Sequence, residues 1–548
     1  MANINIFALG GQDENGKNCY AIEVNNDTFI VDAGIKLPVV SKLGVDTIIP
    51  TFDYITKNAK KIKGVFISHG HDEVFAALPW LLMSTKGLKI YGSKFTVDVI
   101  KERVSKYKIG HNDFSINIID KDTKFGDVVV KPFELAHSIP GTLGYNFSTE
   151  DGDILYMTNY VVGDLGKYGK TDLEAIKKST SEKGILALLA ESARSSYIGS
   201  AFDKSSVKPV VTETFKSTPD DQRIIVGAYD EEMYTLQEIL DLAIEANRPV
   251  ITYGRAYSTL IKTFIKQNPD AKLPKFIDYK LAEKTNNAVI LVTGTGERLY
   301  QRFIRICEGN DVFLKFRKED TVIMIAPPIN GLEKTAARTL DLISRNLRRI
   351  YDVSEKDYYK FNPAKEDIFN TIQILKPRHF IPISGLFRYL KNAERIAEEA
   401  NKFTKSITLQ NGKIALFKEG KLASTNGKIK EHGDTIIDGF GVGDLSYGVI
   451  AEREELAREG VLTVAILIDY KTKKVLSDIN INTVGIMIPK GGDTDIMDLI
   501  KSRIIQTIEE QDRFDYKLIQ NRIRNRIKKS LFRAINKEPM VVVTFYEV

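Results

Sequence analysis

The chain has 548 residues, 43% hydrophobic and 27% charged, with a formal net charge of +6. That length exceeds what one core holds and calls for about two to four domains. Two distant cysteines, Cys19 and Cys307, exclude a disulfide scaffold and a thiolate metal site, and no apolar run reaches the length of a membrane span. The amino terminus, Met1-Ala2-Asn3-Ile4-Asn5, lacks the basic and apolar regions of a signal peptide, so a cytoplasmic location is the expectation. The mild positive charge permits contact with nucleic acid without demanding it.

Along the chain, Ile4 to Leu9, Cys19 to Val24 and Thr28 to Val31 are predicted as successive strands with polar turns between them. Gly64-Val65-Phe66-Ile67 is a buried strand in front of Ser68-His69-Gly70-His71-Asp72-Glu73-Val74. Pro79 opens a helix. Strands recur at Lys89 to Tyr91, Val128 to Phe133, Ile154 to Met157 and Gly184 to Leu189. From about residue 206 short apolar strands alternate with helical stretches such as Glu231 to Glu245. That texture predicts parallel strands with crossover helices. The polar segment Asp357 to Phe369 reads as a boundary, Phe380 to Ser384 as a strand and turn, and Gly427 to Gly443 as a linker with a short strand. The last unit is expected to hold strands at Val461 to Asp469, Thr483 to Ile488 and Met540 to Phe545 around helices from Ile496 to about Asn536.

Gly11 to Asn18 nearly matches a phosphate-binding loop, but Asn18 stands where a hydroxyl is needed and a strand follows, so it reads as a turn. Gly439 to Gly443 is equally weak as a nucleotide motif. His69 and His71 carry more. Two isolated histidines are usually surface residues. A His-x-His pair directly after a buried strand, in a chain with six histidines, points to a metal-derived site. His137, after the apolar run Val128 to Val130, can be the third imidazole of one tetrahedral ion. From Lys517 to Arg533 every charge is positive; this is a solvated helix face or a phosphate-contacting one.

The segments Phe7-Ala8-Leu9-Gly10-Gly11, Glu14 to Asn18, Val31-Asp32-Ala33-Gly34, Leu43 to Asp46, His137-Ser138-Ile139-Pro140, Thr293-Gly294 with Gly296-Glu297, Ile437-Asp438-Gly439 and Lys537 to Met540 resemble the ribonuclease J family, nearly end to end. The resemblance implies an α/β fold: a metallo-β-lactamase αββα sandwich, an inserted β-CASP α/β domain and a small C-terminal α/β domain. The expected boundaries are 1–205 and 366–425 for the sandwich, 206–365 for the insertion, 426–450 for a linker and 451–548 for the last domain.

The family's chemistry implies two metals bridged by a carboxylate, with hydroxide attacking an RNA phosphate. Its motif is His-x-His-x-Asp-His. Here His69 and His71 match, while Glu73 stands at the aspartate and Val74 at the last histidine. His137 matches the next ligand, Asn159 aligns with the bridging aspartate, Glu191 with the β-CASP acidic residue and Ser384 with the late histidine. The family's His-Val-Ser-Gly-His segment aligns with Asp352 to Lys356, so Ser354 and Lys356, with Gly294 and Gly296, are the expected phosphate contacts. No nearby histidine compensates: the next after His71 is His111, and His379 precedes the strand that ends at Ser384.

The implied protein is therefore the degenerate paralogue of its family. One divalent ion, zinc or manganese, is held weakly by His69, His71 and His137 or not required at all, and the two-metal site is absent. Such a protein, a metal-dependent phosphodiester hydrolase by family, has little or no nuclease activity alone. It would act in RNA decay and processing through RNA, self-association and a catalytic ribonuclease J paralogue, with no membrane partner. The alternative is an active metal-dependent 5′–3′ exo/endoribonuclease with an altered site.

Overall fold

A computed structural model describes residues 2–36, 45–110, 113–353, 356–438, 441–442, 447–487, 496–510 and 514–548. They form two compact units. The first holds the described residues up to Thr435 except Val45 and Asp46, and the second those two with Ile436–Val548.

Two sheets face each other in the first unit. One has eight strands in the order Lys421–Lys428, Lys413–Lys418, Asn3–Gly10, Cys19–Val24, Asp27–Val31, Ile62–Phe66, Leu88–Gly92 and Phe114–Ile118. The other has seven: Lys405–Ser406, His379–Ile383, Ile185–Glu191, Gly152–Met157, Leu143–Thr149, Val128–Glu134 and Thr123–Phe125. The period-two alternation of a strand explains the packing. Ile4, Ile6 and Ala8 of the first sheet meet Ile154, Tyr156, Tyr145 and Phe147 of the second in one core. Phe66 sits edge-on to Phe147 with ring centroids 5.6 Å apart. The intervening residues Leu155, Met157 and Leu188 turn outward onto Leu173, Ile372 and Ile396 of the covering helices. Ile185–Glu191 is buried along its whole length, which is why its sequence is continuously apolar. This is the expected αββα sandwich.

Inserted in the sequence between the two parts of the sandwich is a six-stranded sheet in the order Phe276–Ile277, Val250–Tyr253, Val289–Gly294, Ile224–Tyr229, Thr321–Ile325, Arg349–Asp352. All its pairings are parallel. Helices Met233–Glu245, Arg255–Gln267, Glu297–Cys307 and Glu333–Asn346 connect the strands, the α/β insertion that the alternating texture predicted. Arg223 is fully buried here. It grips Asp320 through Nε to Oδ1 (2.9 Å) and Nη2 to Oδ2 (2.6 Å) and also donates to the Ala282 and Lys315 carbonyls. Arg223→Ala leaves the Asp320 charge unpaired, so it is expected to cost about 3–5 kcal/mol. A urea unfolding curve of this unit reads the loss.

In the second unit Val461–Ile468 pairs antiparallel with Asn480–Val484 and parallel with Met540–Glu547. Ile519, Ile523, Ile527 and Leu531 recur every four residues along helix Tyr516–Ile535 and bury against Leu462, Val464 and Val543. The basic run therefore lies on the solvated side of an amphipathic helix. Within it Arg526 pairs with Glu510 (2.5 Å) and Lys528 with Glu455 (2.6 Å).

Several elements depart from expectation. The middle strand lies at Asn480–Val484, earlier than the predicted 483–488, because register with Val461–Ala465 selects it. The segment Gly427 to Gly443 carries its expected short strand at Asp434–Asp438 but also takes in the end of strand Lys421–Lys428, and helix Tyr447–Glu459 follows it. The expected boundary Asp357 to Phe369 follows the last inserted strand, Arg349–Asp352, and takes in the start of helix Lys365–Leu375. There the Asp367 carboxylate accepts from the backbone N–H groups of Ala364 and Ala201. No described helix is long and apolar enough to cross a membrane.

Candidate metal centre

The strand Ile62–Phe66 ends where Ser68 meets Asp32, a residue held at φ 64°. Asp32 Oδ1 accepts from the Ser68 N–H (2.8 Å), and Oδ2 accepts from the Ser68 hydroxyl (3.1 Å) and the Tyr156 hydroxyl (2.6 Å). Burial pushes the Asp32 carboxyl up to about 7, against those hydrogen bonds. The group anchors the loop from beneath.

Above it stand His69, His71 and His137, all buried, with ring centroids 4.6, 4.7 and 4.8 Å apart. Their outer nitrogens settle the tautomers. His137 Nδ1 lies 2.9 Å from the Phe361 carbonyl and His71 Nε2 lies 3.2 Å from the Glu231 carbonyl, so each of these nitrogens donates. The Ser68 hydroxyl is spent on Asp32, so it accepts from His69 Nδ1 at 2.9 Å. Three lone pairs are left, on His69 Nε2, His71 Nδ1 and His137 Nε2. The last two face each other at 3.3 Å, and His69 Nε2 is buried without a hydrogen-bond partner. Desolvation, reinforced for His69 and His137 by the neighbouring rings, holds all three imidazoles below their usual range, hence neutral and ready to ligate. Their ligand atoms lie within 4.8 Å of one another. This donor set fits one tetrahedral divalent ion with an open fourth position.

Val74, Ser384 and Asn159 add no imidazole or carboxylate to this set. Val74 is fully buried and offers only methyl groups. Its place is rigid, since a Cβ on Gly34 would come within 1.6 Å of the Glu73 carbonyl oxygen. Ser384, at φ 55°, directs its hydroxyl to Asn18 Oδ1 at 3.3 Å. Asn159, at φ 49°, donates through Nδ2 to Glu73 Oε1 at 2.6 Å, and its backbone N–H donates to Glu191 Oε2 at 2.6 Å. Asn362 Nδ2 donates to Glu191 Oε1 at 2.7 Å. Burial, with the Glu73 charge nearby, pushes the Glu191 carboxyl up to about 8. Carboxylates that could have served cations are thus joined into one chain by neutral amides.

Of the expected phosphate contacts, Gly294 lines a cleft of about 290 Å³ and Gly296 a smaller cavity of about 90 Å³ over the imidazoles. Lys356 lines neither; it is exposed and its carbonyl accepts from Lys204. Ser354 lies outside the described residues. Sequence reasoning missed Lys360, Asn362 and the acidic run Asp230-Glu231-Glu232, which line the cavity with His71, Glu73 and Asn159. The acidic run was discoverable, since it follows the carboxyl end of a parallel strand, where ligands gather. Lys360 and Asn362 carried no local signal.

A two-sheet sandwich with an inserted parallel sheet, and imidazoles converging at its strand ends, defines a metallo-β-lactamase-fold protein of the β-CASP class. Two family models match the chain, "Ribonuclease J, beta-CASP domain" over residues 221–343 and "Ribonuclease J C-terminal domain" over residues 448–548. The chain thus carries regions that match the β-CASP and C-terminal domains of the ribonuclease J family. It is similar at 27% identity to Ribonuclease J 2 of Streptococcus pyogenes, with all of both chains covered, and at 27% to Ribonuclease J2 of Bacillus subtilis, covering 100% of this chain and 99% of that one. Among solved structures, a protein of unknown function from Enterococcus faecalis shares the fold, with TM-score 0.50 and 13% identity over 76% of this chain and all of that one.

Proposed function

We propose that this protein is a ribonuclease J-type subunit of RNA processing and decay that binds RNA, carries at most one divalent ion and has little or no nuclease activity alone. The observation behind this is the Asn159 amide, which donates a hydrogen bond to Glu73 where a bridging carboxylate would have to give lone pairs to metal. A neutral amide cannot offset the repulsion between two adjacent dications. One ion, when bound, supplies Lewis acidity and a more acidic water. The chain's own residues do the rest. His69, His71 and His137 would hold the ion, Asp32 through Ser68 fixes the His69 ring, and the Glu73–Asn159–Glu191 chain closes the neighbouring space. In the cell the protein would pair with a catalytic ribonuclease J paralogue and with itself, in the cytoplasm. Full-length relatives named Ribonuclease J 2 support that reading.

The converging lone pairs favour one second reading, a working nuclease on a single ion. Purified protein incubated with 5′-monophosphorylated RNA and manganese or magnesium separates the two. The subunit reading expects no turnover above a His69→Ala control. Robust turnover abolished by that substitution would overturn it.

A further inference from the structure

Three segments that adjoin one another on the first unit carry an unusual density of rings and cations: residues 194–204, 356–366 and 385–392. They are stitched together by hydrogen bonds. Lys365 N–H donates to the Tyr197 carbonyl (2.9 Å), Tyr359 N–H to the Lys204 carbonyl (2.8 Å), the Ser195 hydroxyl to the Tyr389 carbonyl (2.8 Å) and Asn392 Nδ2 to the Ser195 carbonyl (2.7 Å). Together they hold seven Lys or Arg residues against three Asp or Glu.

The cations are laid over rings. Arg194 lies 4.5 Å from the Tyr197 ring centre, Lys204 4.7 Å from Tyr359, Lys360 4.1 Å from Tyr229 and Arg388 4.7 Å from Tyr389. Tyr197 and Tyr359 meet edge-on at 5.2 Å. Beside them apolar side chains stand in solvent: Ile198 is 79% exposed, Phe387 39% and Phe202 37%. Phe202 rests against Gly163, where an added Cβ would meet the ring at 2.2 Å, so its ring is held in place and not left to swing. At the inner edge of this surface Asn362 and Glu191 belong to the site described above. Asn362 and Lys360 thus belong both to these segments and to the lining of the cavity over the imidazoles.

We infer that this ring-and-cation surface, carried by Arg194, Tyr197, Phe202, Phe387, Arg388 and Tyr389, is a stacking platform for single-stranded RNA. The charge balance suits a phosphate backbone, and the two exposed rings, Phe202 and Phe387, suit unpaired bases of any sequence. A duplex, whose bases are already stacked, gains nothing from such rings. The inference rests on the RNA-binding reading and gives it a location away from the imidazoles.

The test uses full-length protein, a fluorescently labelled single-stranded RNA of mixed sequence and its duplex form. Phe202 and Phe387 are exposed, so Phe202→Ala/Phe387→Ala is expected to fold, and this is checked by circular dichroism. The double variant should bind the single strand at least about five-fold more weakly, with duplex binding unchanged. Phe202→Trp/Phe387→Trp should restore the affinity. RNA carrying 5-iodouridine should photocrosslink to peptides from 194–204 or 385–392. Affinity within two-fold of the parent, with crosslinks elsewhere, overturns the platform while leaving RNA binding intact. Absence of any RNA binding by the parent overturns both readings. A change in solution mass with RNA affinity unchanged overturns the platform in favour of a protein interface.

Discussion

Alanine at His69, His71 or His137, taken one at a time, is expected to bring bound zinc or manganese from about one equivalent per chain to under about a tenth. Each imidazole has its outer nitrogen committed, to Ser68, Glu231 or Phe361, and its inner lone pair aimed at the same space. Losing one leaves a two-ligand site that water must complete. Among the described residues no other cluster of three His, Cys, Asp or Glu ligands exists to take the ion over. Ser68→Ala should act more weakly, about ten-fold in metal affinity, because it frees the His69 ring without removing it. Inductively coupled plasma mass spectrometry after gel filtration gives the stoichiometry, and competition with a chelating dye gives the affinity. Equal metal content in all three alanine variants and the parent would show that the ion lies elsewhere.

The second large effect concerns Asn159. Asn159→Asp replaces a donor with an acceptor 2.6 Å from Glu73 Oε1, beside Glu191. The bond to Glu73 becomes a repulsion between two carboxylates, in a buried place. The loss of a charge-assisted hydrogen bond and the added unpaired charge are expected to cost about 3–5 kcal/mol in the presence of chelator. Manganese should return part of that, because a cation can now sit between the two carboxylates. The parent protein should show no comparable manganese stabilisation at this position. Urea midpoints with and without metal read both parts. An Asn159→Asp protein as stable as the parent in chelator would mean that the amide bridges nothing.

How much of this was legible before the structure depends on the kind of signal. Cys19–Val24, the run before His69 and the parallel strands of the insertion announced themselves, because burial on both faces leaves continuous apolar runs. The three imidazoles were legible as a set, through one His-x-His pair and one further histidine after a strand. The departures at Val74, Asn159 and Ser384 were visible as residue types, but their consequences were not. Nothing local says that Ser384 turns to Asn18, or that Asn159 joins Glu73 to Glu191. Those contacts join residues up to 366 positions apart. The polar stretch after Asp357 reads as a boundary, and polarity alone does not say that it also lines a cavity. Phe361 and Asn362 there supply a carbonyl to His137 and an amide to Glu191. Only the return of the chain from the inserted sheet brings them to the site.

A pocket that holds one ion at most is the central claim. Full-length protein, loaded with excess zinc or manganese and freed of unbound metal, should retain at most one ion per chain, and a crystal of it should show density only among His69, His71 and His137. Two ions retained per chain, the second ligated beside Glu73 and Asn159, would contradict it.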